Sequence, residues 1–448
     1  MVPLLLLAAW QNPVGIANDA LLKNQNEVHL KNVRQLTFGG QNAEAYWNVD
    51  GTKLIFQSSQ PQWPDEQMLV MNADGSGSKL VSSGKGRCTC GYFLPDGNII
   101  FSATDWKDPG PSPKPDMSKG YVWRVNPLFR IFKAKPDGSN RKRLIDGKGY
   151  FAETTVAPNG EYMVFTSTKD GDLEIYRSDL KGKHIKRLTN SPGYDGGPFV
   201  SWDSKKIVFR RDVIETEEEL KDYKALLKDD LVRPTKLEIW IMDADGKNQR
   251  QVTHLGAASF APFILPNGKQ IIFSSNVGDP KGREFDLYLI DVDGTGLQRI
   301  TFADEFDGFP MITRDGKRIV WASNRNGKVH GETNIFVADW IENPPPPPHL
   351  PDPAAPPGGA RKIHVGLIPD YSDQGPGLLL SGVDEGSPAE KGGLRAGDRV
   401  IRWDDIKIDS IEDVQAIFEQ AEPGKAAKVT VLRGGKEVVC TVIPEKGG

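Results

Sequence analysis

Ala152-Glu153-Thr154-Thr155-Val156-Ala157-Pro158-Asn159-Gly160-Glu161-Tyr162-Met163-Val164-Phe165-Thr166-Ser167 reads as two short apolar strands about a tight turn. Asn-Gly and Asp-Gly suit such turns because Gly, Asn and Asp accept positive φ at little cost. Leu173 to Ser178 follows as a third strand and Lys186-Arg187-Leu188-Thr189 as a short outer one, joined through Lys181-Gly182. The unit recurs. Its first turn reappears at Asp50-Gly51, Asp96-Gly97, Asp203-Ser204, Asn267-Gly268 and Asp315-Gly316, and its second at Asp74-Gly75, Asp137-Gly138, Asp245-Gly246 and Asp293-Gly294. Runs such as Tyr162-Met163-Val164-Phe165 and Ile271-Ile272-Phe273 are β-branched and aromatic, as expected of sheets covered on both faces. One such sheet cannot bury its own faces, so the copies must stack and close on themselves. The prediction is a mainly β chain whose residues 28–342 form a six-bladed β-propeller.

Two features refine it. The last repeat ends at Asn334 to Asp339 with no outer strand after it, while Val33-Arg34-Gln35-Leu36-Thr37 matches the outer strands Lys186 to Thr189 and Gln298 to Thr301. The N-terminal strand is therefore expected to complete the sixth blade. The second and fourth repeats are longer, with insertions at about Thr104 to Arg130 and Asp212 to Lys236 between their second and third strands. In the latter, Thr216 and Glu219 form a capping-box pattern, and Leu220, Tyr223, Leu226 and Leu227 make one apolar stripe expected to pack on the propeller itself.

A chain of 448 residues predicts more than one domain. Its net charge of −4 offers nucleic acid no bulk attraction, and no apolar run approaches the ~20 residues of a spanning helix. Residues 1–27 form a leader in which Leu4-Leu5-Leu6-Leu7-Ala8-Ala9 resembles the apolar part of a secretory signal, though no Lys or Arg precedes it. A periplasmic or secreted location is expected, against the alternative of an apolar leader on a cytosolic protein. Cys88 and Cys90, two apart on a predicted strand, are read as packed free thiols.

Residues 343–361, with Pro344 to Pro348 in succession, form a Pro-rich linker and a semi-rigid spacer. Beyond it lies a module over residues 362–448. It contains Gly382-Val383-Asp384-Glu385-Gly386-Ser387-Pro388-Ala389-Glu390-Lys391-Gly392-Gly393-Leu394-Arg395-Ala396-Gly397-Asp398-Arg399-Val400-Ile401. This strongly resembles the signature of bacterial PDZ domains, which implies a small α+β fold that binds extended or C-terminal peptides by strand addition. The resemblance carries the carboxylate-binding loop onto His364-Val365-Gly366-Leu367, with His364 departing from the usual aromatic residue. It sets Val414 and Phe418, on a helix from Ile411 to Gln420, along the groove, one of them alternatively in the core. The chain's own linker is another candidate occupant of that groove.

Leu94-Pro95-Asp96-Gly97 and Met242-Asp243-Ala244-Asp245-Gly246 resemble the repeats of TolB-type propellers, over roughly Val33 to Trp340. Gly193-Tyr194-Asp195-Gly196-Gly197, Leu231-Val232-Arg233-Pro234, Gly282 to Tyr288 and Thr333 to Trp340 are similar to propellers attached to secreted zinc aminopeptidases, as Gly366 to Tyr371 is to their PDZ domain. No domain-sized stretch between Trp340 and Lys362 holds a peptidase. The six histidines are scattered, with no His-Glu-x-x-His, nucleophile elbow or phosphate-binding glycine loop. No catalytic residue, metal ligand or cofactor is assigned.

Alignment on the turns places Asn42, Cys88, Phe151, Asp195, Ser259 and Asp307 in one layer of the inner strands, and Glu44, Cys90, Glu153, Gly197, Ala261 and Phe309 in the next. The channel mouth is then expected to hold the carboxylates Glu44, Glu153, Asp195 and Asp307, beside Asn42, with no Lys or Arg in these layers. Such a field attracts a cation or a basic peptide. The expected function is a non-catalytic protein-binding scaffold: one partner on the propeller, a peptide in the PDZ groove, and a peptidase among the candidate partners. The alternatives are an enzyme sited at the acidic mouth and a self-assembling subunit.

Overall fold

The computed structural model describes residues 21–113, 119–279, 284–345, 363–369, 377–384, 386–408, 414, 417–418 and 421–446. The leader up to residue 20, the linker from residue 346, and the groove helix apart from Val414, Ile417 and Phe418 lie outside the described residues. The chain divides into two units, 1–353 and 354–448.

The first unit holds six four-stranded antiparallel sheets. Blade 1 is Gln41–Trp47, Lys53–Ser59, Gln67–Asn72 and Lys79–Leu80; blade 3 is Phe151–Val156, Met163–Ser167, Glu174–Ser178 and Lys186–Arg187. The innermost strands of blades 2, 4, 5 and 6 are Cys88–Phe93, Asp195–Val200, Ser259–Ile264 and Asp307–Ile312. Successive inner strands adjoin one another all the way round, Gln41–Trp47 meeting Asp307–Ile312. The sheets therefore close as a six-bladed propeller. Leu30–Gln35 supplies the outer strand of blade 6, pairing antiparallel with Asn334–Trp340 (Leu30 opposite Trp340, Gln35 opposite Phe336).

The recurring sequence has a physical reason. In five of the six blades the Thr or Ser after the outer strand accepts a hydrogen bond from the backbone at the start of the third strand; blade 2, where Ile145 and Asp146 stand at this place, is the exception. Ile175 N donates to Thr189 Oγ1 at 2.9 Å, Ile239 N to Thr253 Oγ1 at 2.8 Å, Leu287 N to Thr301 Oγ1 at 2.9 Å, Ile335 N to Thr37 Oγ1 at 2.9 Å and Met68 N to Ser82 Oγ at 3.0 Å. The hydroxyl thus satisfies an N–H just beyond the end of the outer strand. The second-turn glycine is fixed by close approach. A Cβ on Gly182 would lie 2.5 Å from Leu144 O, and one on Gly294 2.8 Å from Val252 O, both carbonyls on the preceding blade. Each turn is clamped against its neighbour's outer strand, which is how stacking fixes the ring.

The insertions of blades 2 and 4 meet each other. Trp123–Arg124 and Leu231–Val232 form a two-stranded antiparallel arch. Helix Glu217–Lys228 lies beneath it with the expected capping box formed. Tyr223 packs in a buried cluster with Tyr150, Ala152, Leu173 and Tyr194 of blades 3 and 4, so its apolar stripe covers the propeller's own surface. Leu21 and Glu27, in the segment expected to be leader, are buried within the propeller, so its structured part begins before residue 28.

In the second unit the sheet order runs Leu367–Pro369, Leu378–Val383, Arg399–Trp403, Ala427–Arg433, Lys436–Val442, and a short helix spans Pro388–Lys391. Trp403, Val400, Val429, Val431 and Leu380 fill its core. It is an α+β module separate from the propeller.

Candidate functional site

Each inner strand of the propeller carries one β-bulge at the same place, between Ala43 and Tyr46, Thr89 and Tyr92, Ala152 and Thr155, Gly196 and Phe199, Phe260 and Phe263, and Gly308 and Met311. The residue inside each bulge takes positive φ: Glu44 (50°), Cys90 (52°), Glu153 (57°), Gly197 (58°), Ala261 (50°) and Phe309 (57°). A non-glycine residue in that region costs roughly 1–2 kcal/mol. Here the repeated bulge turns one residue per blade toward the axis, a side chain in every blade but the fourth, which has Gly197. From blade 3 to blade 6 the burial patterns leave this residue half-buried between fully buried neighbours, and in blade 2 Cys90 is half-buried beside a half-buried Thr89.

Below this layer Tyr46, Tyr92, Phe199 and Phe263 pack ring against ring, with centroid separations of 5.2 Å for Tyr46–Phe199, 5.7 Å for Tyr92–Phe199 and 5.4 Å for Phe199–Phe263. Thr155 and Met311 complete the plug, all six residues being buried. The channel is a cup with an aromatic floor. Above the cup, Phe260, Phe285, Phe306 and Phe309 form an aromatic wall on blades 5 and 6, and Trp123 of the arch reaches Phe260 at 6.0 Å.

The charges differ from expectation. The two layers themselves hold no Lys or Arg, yet the adjoining strands send arginines into them. Arg211 clasps Asp195 through Nε (2.5 Å) and Nη2 (2.8 Å), and Arg325 Nη2 lies 3.0 Å from both Asp307 and Glu27. Trp321 Nε1 donates to Asp307 at 3.0 Å. Asp195 and Asp307 are fully buried between strands and do not line an open mouth. Asn42 is also buried; its Nδ2 donates to Gly39 O (3.0 Å) and Thr333 O (2.9 Å), joining blade 1 to blade 6.

Glu153 stays in the cup but is paired: Arg210 Nη2 lies 2.5 Å away, Gly197 N donates at 2.8 Å, and Tyr194 Oη donates as well. Burial favours its neutral form, but Arg210 and these donors hold its carboxyl below the usual value. Arg210 fits because blade 4 has glycine at its bulge: a Cβ on Gly197 would collide with the guanidinium. Glu44 alone among the four carboxylates makes no ion pair among the described residues. Burial, with Glu153 nearby, pushes it up to about 7 despite a hydrogen bond with Cys90. The cup therefore holds one uncompensated carboxyl, not four. Cys88 and Cys90 are free thiols, Cys88 against Gln67 and Cys90 in the cup beside Glu44. Among the described residues no group of three or more His, Cys, Asp or Glu is placed to hold a metal ion.

In the second unit, Gly366 has φ +80° and a Cβ there would collide with the side chain of Ser387. Ser387 caps the short helix, its Oγ accepting from Glu390 N at 3.2 Å, and Ala389 N donates to Val365 O at 2.8 Å. The His364–Leu367 loop is thereby docked on the helix start. His364 belongs to a two-residue strand paired with Glu445–Lys446. Val365 is buried and Leu367 partly so. Val414 is buried at 3%, whereas Phe418 is half-buried with its ring 5.4 Å from Trp403. Of the two helix residues expected along the groove, Val414 is the more deeply set in the core.

The arginines of the second strands were missed because the alignment considered inner strands only. The pairing Asp195 opposite Arg211 follows once the strand register is known.

Residues 380–433 match the PDZ domain family. Over 158 residues the chain is 25% identical to an uncharacterized protein of Agrobacterium fabrum, covering 35% of this chain and 46% of that protein. Over 76 residues it is 39% identical to a Synechocystis sp. protein named as the serine protease HhoA, covering 17% of this chain and 18% of that protein. The chain thus spans about half the length of the first relative and under a fifth of the second. Among solved structures, TolB from Acinetobacter baumannii is similar at 18% identity and a TM-score of 0.47, over 66% of this chain and 65% of that one. The propeller assignment stands on the six closed sheets themselves.

Proposed function

We propose that this protein is a non-catalytic, extracytoplasmic adaptor with two binding modules. Its PDZ groove takes an extended peptide ending in a free carboxylate, and the cup and wide face of its propeller take a second protein. The observation that carries the reading is the Gly366 loop at the edge of the PDZ sheet, where the strand Leu367–Pro369 has, among the described residues, a partner on one flank only. Glycine with positive φ lets main-chain N–H groups approach a carboxylate, and the bare edge gives a peptide somewhere to pair. The propeller supports a second contact through the water-reachable cup layer, whose aromatic wall and single unpaired carboxyl suit a basic or aromatic side chain of a partner. Resemblance to aminopeptidase-linked propellers makes a separately encoded peptidase the partner to test first.

The test uses the full chain and synthetic random hexapeptides, offered either with free carboxylates or C-terminally amidated. Retention of the free-acid pool, loss on amidation and loss in Gly366→Val support the adaptor. Equal retention of both pools, or none of either, overturns it. Size that rises with protein concentration and survives removal of the PDZ unit would replace it with self-assembly through the propeller.

A further inference from the structure

The edge strand Leu367–Pro369 meets Leu378–Val383 in a register that fixes where each backbone group points. Leu367 stands opposite Val383, Ile368 opposite Gly382 and, after a bulge, Pro369 opposite Leu380. Asp384 N donates to Gly366 O at 2.9 Å. That bond flanks the Leu367–Val383 pair, so the pair's own N–H and C=O groups turn away from each other, as alternate pairs of an antiparallel ladder do. Leu380 likewise uses its backbone on its other side, its N–H donating to Asp398 O and its C=O accepting from Gly397 N, each at 2.8 Å. The backbone N–H and C=O of Ile368 therefore turn inward to the sheet, while Leu367 and Pro369 present their backbone to the outer edge.

An added strand needs a donor and an acceptor from every second residue of its host. Leu367, next to Gly366, offers both. Pro369, the following outward position, offers a carbonyl and no N–H. We infer that Pro369 is a specificity-determining residue: the groove reads only the last one or two residues of a free C-terminal tail and holds upstream residues weakly. This rests on the peptide-binding reading above and deepens it. The docked Gly366 loop secures the terminus, and the peptide carbonyl that reaches Pro369 finds no donor. The same proline blunts the edge against pairing with a second sheet.

The experiment passes a random hexapeptide pool with free carboxylates over immobilised full-length protein and sequences what is retained. Pro369→Ala and Pro369→Val are run beside the natural chain, and an unchanged thermal transition of each variant establishes that the module folds. The natural chain should enrich residues at the last two positions only. Both variants should bind the retained pool about fivefold more tightly, the worth of roughly one restored main-chain hydrogen bond, and, with upstream residues now held in register, extend selection to the third and fourth positions from the end. Upstream selection by the natural chain as strong as at the terminus, or identical profiles for chain and variants, overturns the inference and leaves the adaptor reading intact. Retention of no peptide by any of the three proteins overturns both.

Discussion

Replacing Glu44 by Gln should make the propeller more stable at alkaline pH and leave it nearly unchanged at pH 4. Glu44 is held in the cup at a bulge with φ 50°, with Cys90, Glu153, Arg210 and Glu66 as its charged and titratable neighbours. Burial raises its carboxyl from an ordinary 4.5 to about 7. Between those values the folded chain keeps a proton that the unfolded chain has released, so stability falls as pH rises through this window and levels off above 7. Each pH unit of the window is worth about 1.4 kcal/mol, giving about 3 kcal/mol in all if the carboxyl were dry. Water reaches this layer, so about 1.5–3 kcal/mol is expected. Gln has the shape of the protonated acid and carries no such penalty. Thermal unfolding of both proteins from pH 4 to 9 should show midpoints that coincide near pH 4 and separate above pH 7, with Gln higher by about 3–6 °C at roughly 2 °C per kcal/mol. Only the difference between the two proteins counts, because other groups titrate in both. A constant difference across the range, or one that grows toward acid, refutes the account of the cup as holding an uncompensated carboxyl.

Arg325→Met should cost about 3–5 kcal/mol by leaving Glu27 and Asp307 buried without their shared cation; adding Glu27→Gln and Asp307→Asn to it should recover part of the loss in the same unfolding assay. Gly138→Ala and Gly97→Ala separate two roles of turn glycines. Both positions have φ near +80°, but a Cβ at Gly138 meets Val81 O of the preceding blade whereas nothing lies within 4 Å of one at Gly97. The Gly97 variant should therefore lose only the roughly 1–2 kcal/mol of a left-handed alanine, and the Gly138 variant distinctly more, by denaturant titration. Gly197→Ala should displace Arg210 from Glu153, seen as a lower midpoint at pH 7 that Arg210→Gln does not lower further.

Ring closure was legible in the sequence because a propeller must repeat its local solutions. Each blade needs a positive-φ turn, five of the six use a hydroxyl to satisfy the third strand, and five place a glycine where a turn meets the previous blade. Those demands leave Asp-Gly and Arg-Leu-Thr at matching intervals, and the unmatched Val33 to Thr37 then has one place to go. The capping box at Thr216 and Glu219 was legible for the same local reason. The arch was not. Two-residue pairing of Trp123–Arg124 with Leu231–Val232 joins segments about a hundred residues apart, and neither carries a pattern long enough to announce a strand.

The electrostatics of the cup show where sequence reading stops. Aligning the inner strands placed Glu44 and Glu153 in one layer and Asp195 and Asp307 in the next, and the structure keeps those layers. What decides their charge is the neighbouring strand. Arg210 and Arg211 are adjacent in sequence, yet they serve opposite faces, one entering the space left by Gly197 and the other lying on Asp195. Arg325 acts two residues beyond its strand. An acid in a buried layer requires a counter-charge or a proton. Glu153 takes the first course and Glu44 the second. Asp195, although clasped by Arg211, is also pushed up to about 7 by burial, but it lies between strands and already has its cation. Asp307 lies against Arg325. That division makes Glu44 the residue through which a cationic partner would gain most. A bound ammonium or guanidinium would draw the carboxyl back toward its ordinary value and release a proton. Binding to the cup should then show proton uptake by buffer at pH 6 and almost none at pH 9, and Glu44→Gln should abolish the difference. Equal proton release at both pH values would place the partner elsewhere on the propeller.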